Sequence, residues 1–161
     1  MKHKTIQADY HNTTHAKDIV ALLNTYALDK MGGGKALSSK VQETLVEELA
    51  KRPHAFSVLA YDEDKAIGLI NCFEAFSTFS AEPLVNLHDV VVSPEYRGQG
   101  VNQIMLQKVE DIAIARGCCK LTLEVLEGNG GAQASYAKFG FAGYELDPEM
   151  GKAVFWQKGL K

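Results

Sequence analysis

The sequence lacks paired cysteines and long apolar runs, and each absence excludes a class of protein. Its three cysteines include the adjacent Cys118 and Cys119, and they offer neither a disulfide framework nor a CxxC metal site. No apolar run approaches the roughly 18 residues of a membrane-spanning helix. The basic N-terminus is not followed by the apolar segment of a secretory signal. We therefore expect a cytoplasmic protein that has no membrane as partner.

The sequence also lacks an excess of basic over acidic residues. The chain carries 17 Lys and Arg against 20 Asp and Glu, a net charge of −3, and has no basic run to follow a phosphate backbone. Nucleic acid is therefore not an expected partner. A chain of 161 residues can bury roughly 70% of its unfolded surface. We expect one domain over residues 1–161.

The order of periodic segments predicts a mixed α/β fold. Apolar residues with helical spacing precede Gly32–Gly34 and again precede Pro53, whereas β-branched and aromatic residues predict antiparallel strands between 55 and 92. The predicted elements are a strand at 5–8, two helices, strands at 55–61, 66–73 and 84–92, a helix from 101 to 116, a strand at 121–125, a helix from 128 to 138, and a closing hairpin of 141–146 with 153–157 that places Trp156 in the core. This is an α+β domain whose twisted, mostly antiparallel sheet has about six to seven strands flanked by about four helices.

The most informative stretch joins the strand at 84–92 to the next helix through a turn that contains Gly98 and Gly100. A turn that leads into a helix N-terminus presents unpaired backbone N–H groups and the positive end of the helix dipole, which together bind phosphate. The two glycines let the backbone approach an anion, and Arg97 adds a permanent positive charge. The stretch thus predicts an anion site.

Two familiar phosphate motifs do not fit these residues. A P-loop needs Lys-Ser or Lys-Thr after the glycines, which is absent here. A dinucleotide fingerprint needs a glycine where Gln103 stands, and it follows a βαβ repeat rather than antiparallel strands. We therefore expect neither a nucleoside triphosphate nor a dinucleotide at this turn.

The same residues resemble the GCN5-related N-acetyltransferases (GNAT). That family has a strand ending in V-x-P and then [QR]-x-x-G-x-[GA], which here reads Val92-Ser93-Pro94 and Arg97-Gly98-Gln99-Gly100-Val101-Asn102. A second block of the family, N-x-x-A-x-x-x-Y-x-x-x-G-F, is matched by Asn129, Ala132, Tyr136, Gly140 and Phe141. The resemblance covers residues 15–157, and the chain departs from the family pattern at Asn102, where Gly or Ala is usual.

The resemblance implies an enzyme that transfers the acetyl group of acetyl-CoA directly to an amine, with no metal and no covalent enzyme intermediate. The N–H of Val90 would polarise the thioester carbonyl. Tyr136 would protonate the departing thiolate, since a phenol pKa near 10 is close to that of a thiol, unless it only packs under the closing hairpin. The implied cofactor-binding residues are Val90, Val91, Val92, Arg97, Gly98, Gln99, Gly100, Val101, Asn102, Asn129 and Tyr136.

The incoming amine needs a base, because an alkylammonium has no lone pair with which to attack. The positions where some members of the family carry a glutamate hold Asn86 and His88 here. His88 is therefore the predicted base, directly or through water, unless it is simply hydrogen-bonded on the strand. Strict alternation along the strand would place on one face Asn86, His88, Val90 and Val92, and on the other face Asp89 and Val91. The weaker candidates for the base, each of which is expected instead to be structural or to orient the substrate, are Asp89, Glu74 and Glu124.

The acceptor is the least determined part of the reaction. Leu87-His88-Asp89 is similar to the Leu-acid-Asp pattern of diamine acetyltransferases, which favours a small primary amine such as a polyamine, an amino sugar or an amino acid. The alternatives are acetylation of a protein N-terminus or lysine, and an acyl-CoA-binding regulator without catalysis. Gly32–Gly34 is expected to be either a mobile loop at the substrate entrance or a plain linker. A homodimer is expected from the resemblance alone.

Overall fold

The computed structural model describes residues 3–144 and 147–161. Within them the chain forms one five-stranded sheet and four α-helices. The strands are β1 Lys4–Gln7, β2 Ala55–Asp62, β3 Lys65–Ser77, β4 Glu82–Val92 and β5 Leu121–Leu123. The helices are α1 Thr13–Leu28, α2 Ser39–Ala50, α3 Val101–Ala115 and α4 Gly130–Phe139. Among the helices described, none is both long and apolar enough to cross a membrane.

The strands lie across the sheet in chain order. The first four are antiparallel, as the short connections from β2 to β3 and from β3 to β4 allow. β5 lies parallel to β4, with Val85 opposite Leu121, because α3 carries the chain back before β5 begins. The predicted parallel pair at this end of the sheet is confirmed.

Helices cover both faces of the sheet. On one face α3 buries Met105 and Leu106, and on the other face α1 buries Ile19. The close approach of α3 to β3 favours glycine at position 68, since a Cβ there would lie 2.7 Å from the Met105 sulfur and the methionine side chain would have to move. The two faces are called the α3 side and the α1 side below.

A β-bulge in β4 changes which residues share a face. Asn71 of β3 pairs with Asp89, whereas the next residue of β3 pairs with Leu87, so His88 is the extra residue. As a result Leu87 and Val90 both pack on the α3 side, although they are three positions apart. Strict alternation does not continue through a bulge. The prediction of one face shared by Asn86, His88, Val90 and Val92 is therefore wrong.

The chain after α4 also differs from the prediction. The Asp147–Gly151 turn is present, and the N–H of Met150 donates to the carbonyl of Asp147 at 3.0 Å. The described residues on either side of it, however, form no strand, and Trp156 is 87% exposed instead of lying in the core. An alternating apolar pattern becomes a strand only where a neighbouring strand and a core cover it, and among the described residues no strand pairs with 153–157 and no core covers them. Glu145 and Leu146, which belong to the predicted hairpin, lie outside the described residues.

The sheet therefore has five strands instead of about six to seven. β5 is also shorter than expected, because it ends at Leu123 and not at Val125. The other predicted strands and the four helices are present with shifted ends.

Candidate active site

β4 loses one of its two neighbours part-way along its length. β3 pairs with β4 as far as Val92, whereas β5 pairs with it only as far as Leu87. From His88 to Val92 the outer edge of β4 therefore has no strand partner among the described residues. An open strand edge can bind an extended chain as an added strand. Val90 and Val92 pack partly buried on the α3 side, whereas the side chain of Val91 is buried in the core on the α1 side, so only its backbone is available.

The turn between β4 and α3 has the backbone geometry that an anion site needs. Gly98 and Gly100 have φ angles of 73° and 82°, a left-handed conformation that favours glycine. A Cβ at either position would meet nothing within 4 Å, so the turn borders open space at the start of α3. The side chain of Gln99 folds back to donate to the carbonyl of Glu95 at 2.9 Å, and that of Val101 is buried in the core. Both therefore offer only their backbone N–H groups to an anion.

Arg97 connects this turn to the loop that follows α1. Its Nη2 lies 3.2 Å from Oδ2 of Asp29, and its Nε donates to the carbonyl of Val92 at 3.3 Å. The hydrogen bond from the Met31 N–H, together with the Arg97 guanidinium, lowers the pKa of the Asp29 carboxyl. Sequence analysis missed Asp29, because its partner is 68 positions away along the chain.

Two predicted site residues belong to α4: Asn129 is its N-cap, and Tyr136 packs on the α3 side. The carbonyl oxygen of the Asn129 side chain accepts from the N–H of Ala132 at 3.2 Å, so this side chain caps α4. Tyr136 is 8% exposed and packs edge-on against Phe141, with ring centroids 5.9 Å apart. Burial raises the pKa of Tyr136 to about 12, and its hydroxyl makes no hydrogen bond to the residues that the structure describes. The pKa near 10 on which the sequence prediction relied does not hold at this position.

The four candidate bases differ in their surroundings. His88 is exposed in the bulge and packs edge-on against Phe73 at 5.5 Å between ring centroids. Glu74 lies 3.6 Å from the guanidinium of Arg116 and also contacts His54. It therefore belongs to a structural ion-pair cluster at the far end of β3. Glu124 is exposed after the end of β5. These positions leave His88 and Asp89 as the candidates beside the open edge of β4.

A chain of buried hydrogen bonds ends on Asp89. The Tyr10 hydroxyl lies 2.8 Å from that of Ser57, Ser57 donates to the side-chain carbonyl of Asn71 at 2.7 Å, and Asn71 donates to Oδ2 of Asp89 at 3.0 Å. Ser57 is 0% and Asn71 is 3% exposed. The amide N–H thus fixes the direction of the Asp89 carboxylate. Sequence analysis missed these residues, although a polar residue within an apolar strand is a signal that could have found them.

Asp89 shares its surroundings with Asp29 and two tyrosines. Burial raises the pKa of Tyr26, and the negative charges of Asp89 and Asp29 raise it further. Tyr26 in turn adds to the raised pKa of Tyr136 through its charge. Arg97 also connects Asp29 to the carbonyl of Val92 in β4, the strand that carries Asp89. We call these three residues the acidic cleft (Tyr26, Asp29, Asp89).

Comparison with known proteins decides the family. The sequence model of the acetyltransferase (GNAT) family matches residues 19–141. The chain belongs to this family. The thialysine N-epsilon-acetyltransferase of Bos taurus is 38% identical over 66 residues, which are 41% of this chain and 38% of the relative. The streptothricin acetyltransferase of Streptomyces lavendulae is 33% identical over 78 residues, 48% of this chain and 41% of the relative. The matched part thus spans about two fifths of these curated relatives.

Solved structures agree with the GNAT fold. An aminoglycoside acetyltransferase from an uncultured soil metagenomic sample, solved with sisomicin, has a TM-score of 0.80 at 14% identity, covering 99% of this chain and 97% of that one. A second aminoglycoside N-acetyltransferase, solved with CoA, has a TM-score of 0.74 at 20% identity, covering 97% and 94%. At such identities the likeness shows the fold, which is the predicted α+β arrangement.

Asn102, at the position where GNAT proteins usually have a smaller residue, leaves room for CoA. Its Nδ2 donates to the hydroxyl of Ser135 on α4 at 2.7 Å, so the side chain points toward α4 and not into the space beside the glycines. Gln103 also donates to the carbonyl of Ser135, at 2.9 Å. The Oδ1 of Asn102 is buried and has no partner among the described residues. The Asn102 side chain therefore does not occupy the open space beside Gly98 and Gly100 at the start of α3.

Proposed function

We propose that this GNAT protein is an enzyme that transfers the acetyl group of acetyl-CoA to a primary amine of a small molecule. The observation that carries the proposal is the open edge of β4, which leads directly into the turn with Gly98 and Gly100. An extended arm that ends in a pyrophosphate suits an open strand edge followed by an anion site. When bound, acetyl-CoA supplies the acetyl group as a thioester.

The backbone of the chain would do most of the cosubstrate binding. The amides of residues 98–102 would hold the pyrophosphate, and the edge at Val90 and Val92 would hold the pantetheine arm. The N–H of Val90 would donate to the thioester carbonyl oxygen, where the loss of one such donor costs about 3 kcal/mol of transition-state stabilisation. Because Arg97 occupies the carbonyl of Val92, we expect it to turn toward the phosphates when the arm binds.

Tyr136 is the proposed donor to the departing sulfur. A pKa of about 12 keeps its hydroxyl protonated at physiological pH. Since this pKa lies above the thiol value of about 8.5, the phenol stabilises the thiolate mainly by donating a hydrogen bond to it. Complete proton transfer is less favourable than an unshifted phenol would allow.

The acidic cleft suits a cationic acceptor. A primary amine arrives as an ammonium group, which the carboxylates of Asp29 and Asp89 attract. We propose that Asp89 receives and orients the amine, because Asn71 fixes its carboxylate. His88, exposed one residue away, would take the proton directly or through a water. The names of the relatives, which refer to thialysine, streptothricin and aminoglycosides, support a small amine.

Two measurements on the purified protein test this function. Calorimetric titration with acetyl-CoA comes first, followed by release of CoA thiol with a polyamine, an amino sugar, an amino acid and a peptide with a free N-terminus. Binding with release for one of the small amines supports the proposal. Release for the peptide alone would instead indicate a protein acetyltransferase, binding without release would indicate an acyl-CoA-binding regulator, and absence of binding would refute the assignment of the site.

Two matched variants assign the effect to the site. Gly100→Ala strains a left-handed backbone position at the anion turn and should weaken acetyl-CoA binding. Gly117→Ala places the same strain after α3, with open space around it, and should leave binding unchanged.

A further inference from the structure

The turn with Gly98 and Gly100 lies between two side chains that pack in the body of the protein. The glycines carry no side chain of their own, and a Cβ at either position would meet nothing within 4 Å. On one side of the turn Val101 is 1% exposed and fixes the start of α3 in the core. On the other side Tyr96 ends a short 3₁₀ turn and packs partly buried on the α3 side. The direction of the N–H groups between them therefore depends on how firmly Tyr96 and Val101 are held.

The side chain of Tyr96 has its polar partner on the hairpin of β2 and β3. Its hydroxyl donates to Oδ2 of Asp62, the last residue of β2, at 3.1 Å. The Nζ of Lys65, the first residue of β3, lies 5.1 Å from the centre of the tyrosine ring and 2.8 Å from Oε1 of Glu95. The Lys65 and Glu95 side chains are more than half exposed, and ion pairs of this kind contribute little to stability. Asp62 is therefore the more important partner of Tyr96.

His3 lies on the other side of the Asp62 carboxylate. β1 pairs with β2 so that Lys4 is opposite Tyr61, which brings the residue before Lys4 beside Asp62. The Nδ1 of His3 lies 3.3 Å from Oδ1 of Asp62, and its ring packs edge-on against Tyr96 with centroids 5.9 Å apart. This nitrogen is buried and makes no aligned hydrogen bond to the described residues, so its approach to the carboxylate is a charge contact. The His3 side chain is only 7% exposed and contacts both Asp62 and Tyr96.

We propose that Asp62 and His3 are positioning residues for acetyl-CoA, which act through Tyr96 on the backbone of the turn. The proposal rests on the proposed function, since it assigns the pyrophosphate of the cosubstrate to this turn. Glycine loses more conformational freedom than any other residue when it is ordered. A turn that contains two glycines therefore gains from a firmly held neighbour, because N–H groups that are fixed before the ligand arrives cost less entropy on binding.

Neither Asp62 nor Tyr96 has a hydrogen-bond donor left for a phosphate. An ionised carboxylate only accepts hydrogen bonds, and like charges repel. The hydroxyl hydrogen of Tyr96 is already donated to Asp62. Their contribution to acetyl-CoA binding should therefore come through the position of the turn, and its loss should be confined to ligands that carry a pyrophosphate.

Calorimetric titration of Tyr96→Phe with acetyl-CoA is the first test. Phenylalanine keeps the ring and removes only the hydroxyl that donates to Asp62, and we expect the Kd for acetyl-CoA to rise on the order of tenfold. Tyr61→Phe is the matched control, because the Tyr61 hydroxyl donates to the carboxylate of Asp18 at 2.6 Å and packs on the α1 side. It loses the same kind of bond from the same hairpin and should leave the Kd unchanged. A wild-type Kd in Tyr96→Phe would overturn the proposal.

S-acetylpantetheine distinguishes a displaced turn from general damage to the site. This ligand keeps the thioester and the pantetheine arm and has no pyrophosphate. In titrations in which it displaces acetyl-CoA, Tyr96→Phe should bind it as tightly as the wild type does. An equal loss of affinity for both ligands would show that the substitution disturbs the whole site, and would overturn a role that is specific to the turn.

Two substitutions of His3 test its part. His3→Ala should raise the Kd for acetyl-CoA several-fold, whereas His3→Gln, whose amide N–H can donate to Asp62, should restore most of the affinity. Wild-type affinity in His3→Ala would overturn the role of His3. Absence of acetyl-CoA binding in the wild type is a separate result, which would refute the proposed function and the positioning role with it.

Discussion

Replacement of Asn71 by leucine isolates the contribution of the buried hydrogen-bond chain to the acidic cleft. The side chain is 3% exposed, accepts from Ser57 at 2.7 Å and donates to Asp89 at 3.0 Å. A leucine of similar size removes both hydrogen bonds and leaves the strand in place. Asp89 then keeps its charge and loses the amide that directs it.

The size of the effect follows from the two bonds. A neutral hydrogen bond contributes about 1 kcal/mol and one to a charged group about 1.5–3 kcal/mol, so we expect a loss of about 2–4 kcal/mol in the free energy of unfolding. For a chain of this length that corresponds to a fall in Tm of roughly 5–15 °C. An Asp89 carboxylate that is free to turn should raise the KM for the amine about tenfold, which is about 1.4 kcal/mol of lost binding.

Steady-state kinetics measures the effect on amine binding, and calorimetry measures the effects on acetyl-CoA binding and on stability. Asn71→Leu should raise the KM for the amine and leave the Kd for acetyl-CoA unchanged, because Val90 packs on the opposite face of the sheet. Ser57→Ala is the matched control, since it removes the hydrogen bond from Ser57 to Asn71 but keeps the one from Asn71 to Asp89. It should lower stability by about 1 kcal/mol with little change in KM. If Asn71→Leu lowers Tm while the KM for the amine stays at the wild-type value, the chain of hydrogen bonds only stabilises the fold and does not orient Asp89 for the substrate.

Three further predictions follow from the same structure. Tyr136→Phe should lower kcat and spare acetyl-CoA binding, and unchanged turnover would remove the tyrosine from the reaction. The pKa of Tyr136 is about 12 in the folded state and near 10 in the unfolded state. Between pH 10 and pH 12 the free energy of unfolding of the wild type should therefore fall by up to about 3 kcal/mol more than that of Tyr136→Phe. Equal losses for the two proteins in denaturant titrations at these pH values would show that the phenol is not held protonated. His88→Ala should flatten the rise of kcat/KM with pH, and a profile that keeps its shape would exclude His88 as base. Gly68→Val forces a side chain against the Met105 sulfur and should lower the free energy of unfolding by about 1–3 kcal/mol in denaturant titration; full stability would mean that α3 shifts without cost.

The fold could be predicted from the sequence wherever one element determines its own pattern. The helical spacing around Ile19 and Met105 predicts which side of each helix is buried, and the glycine turn predicts the start of α3. The bulge could not be predicted, because an extra residue in β4 shows only in its register against β3. The absence of a strand at 153–157 could not be predicted either, since their alternating pattern favours a strand, whereas a strand forms only where a neighbouring strand pairs with it.

The candidate active site also has a part that the sequence predicts and a part that it does not. Local signals such as the left-handed glycines and the residue pattern at Tyr136 could be recognised in the sequence. The partners that aim Asp89 and occupy Arg97 come from other elements, 18 and 68 positions away along the chain. The raised pKa of Tyr136 likewise depends on what α4 packs against, and no local pattern reports it.

The bulge at His88 has a consequence for how new acceptor specificities could arise in this protein, if it has the proposed activity. One extra residue turns Val90 to the α3 side and Asp89 to the α1 side, the reverse of what alternation from Leu87 would give. The groups proposed to bind the acetyl donor and those proposed to bind the acceptor are therefore supported by different halves of the core. Substitutions in α1 and in the loop after it can therefore reshape the acceptor cleft while the donor contacts stay as they are. A library restricted to that half of the protein would explore new amines with little loss of acetyl-CoA affinity.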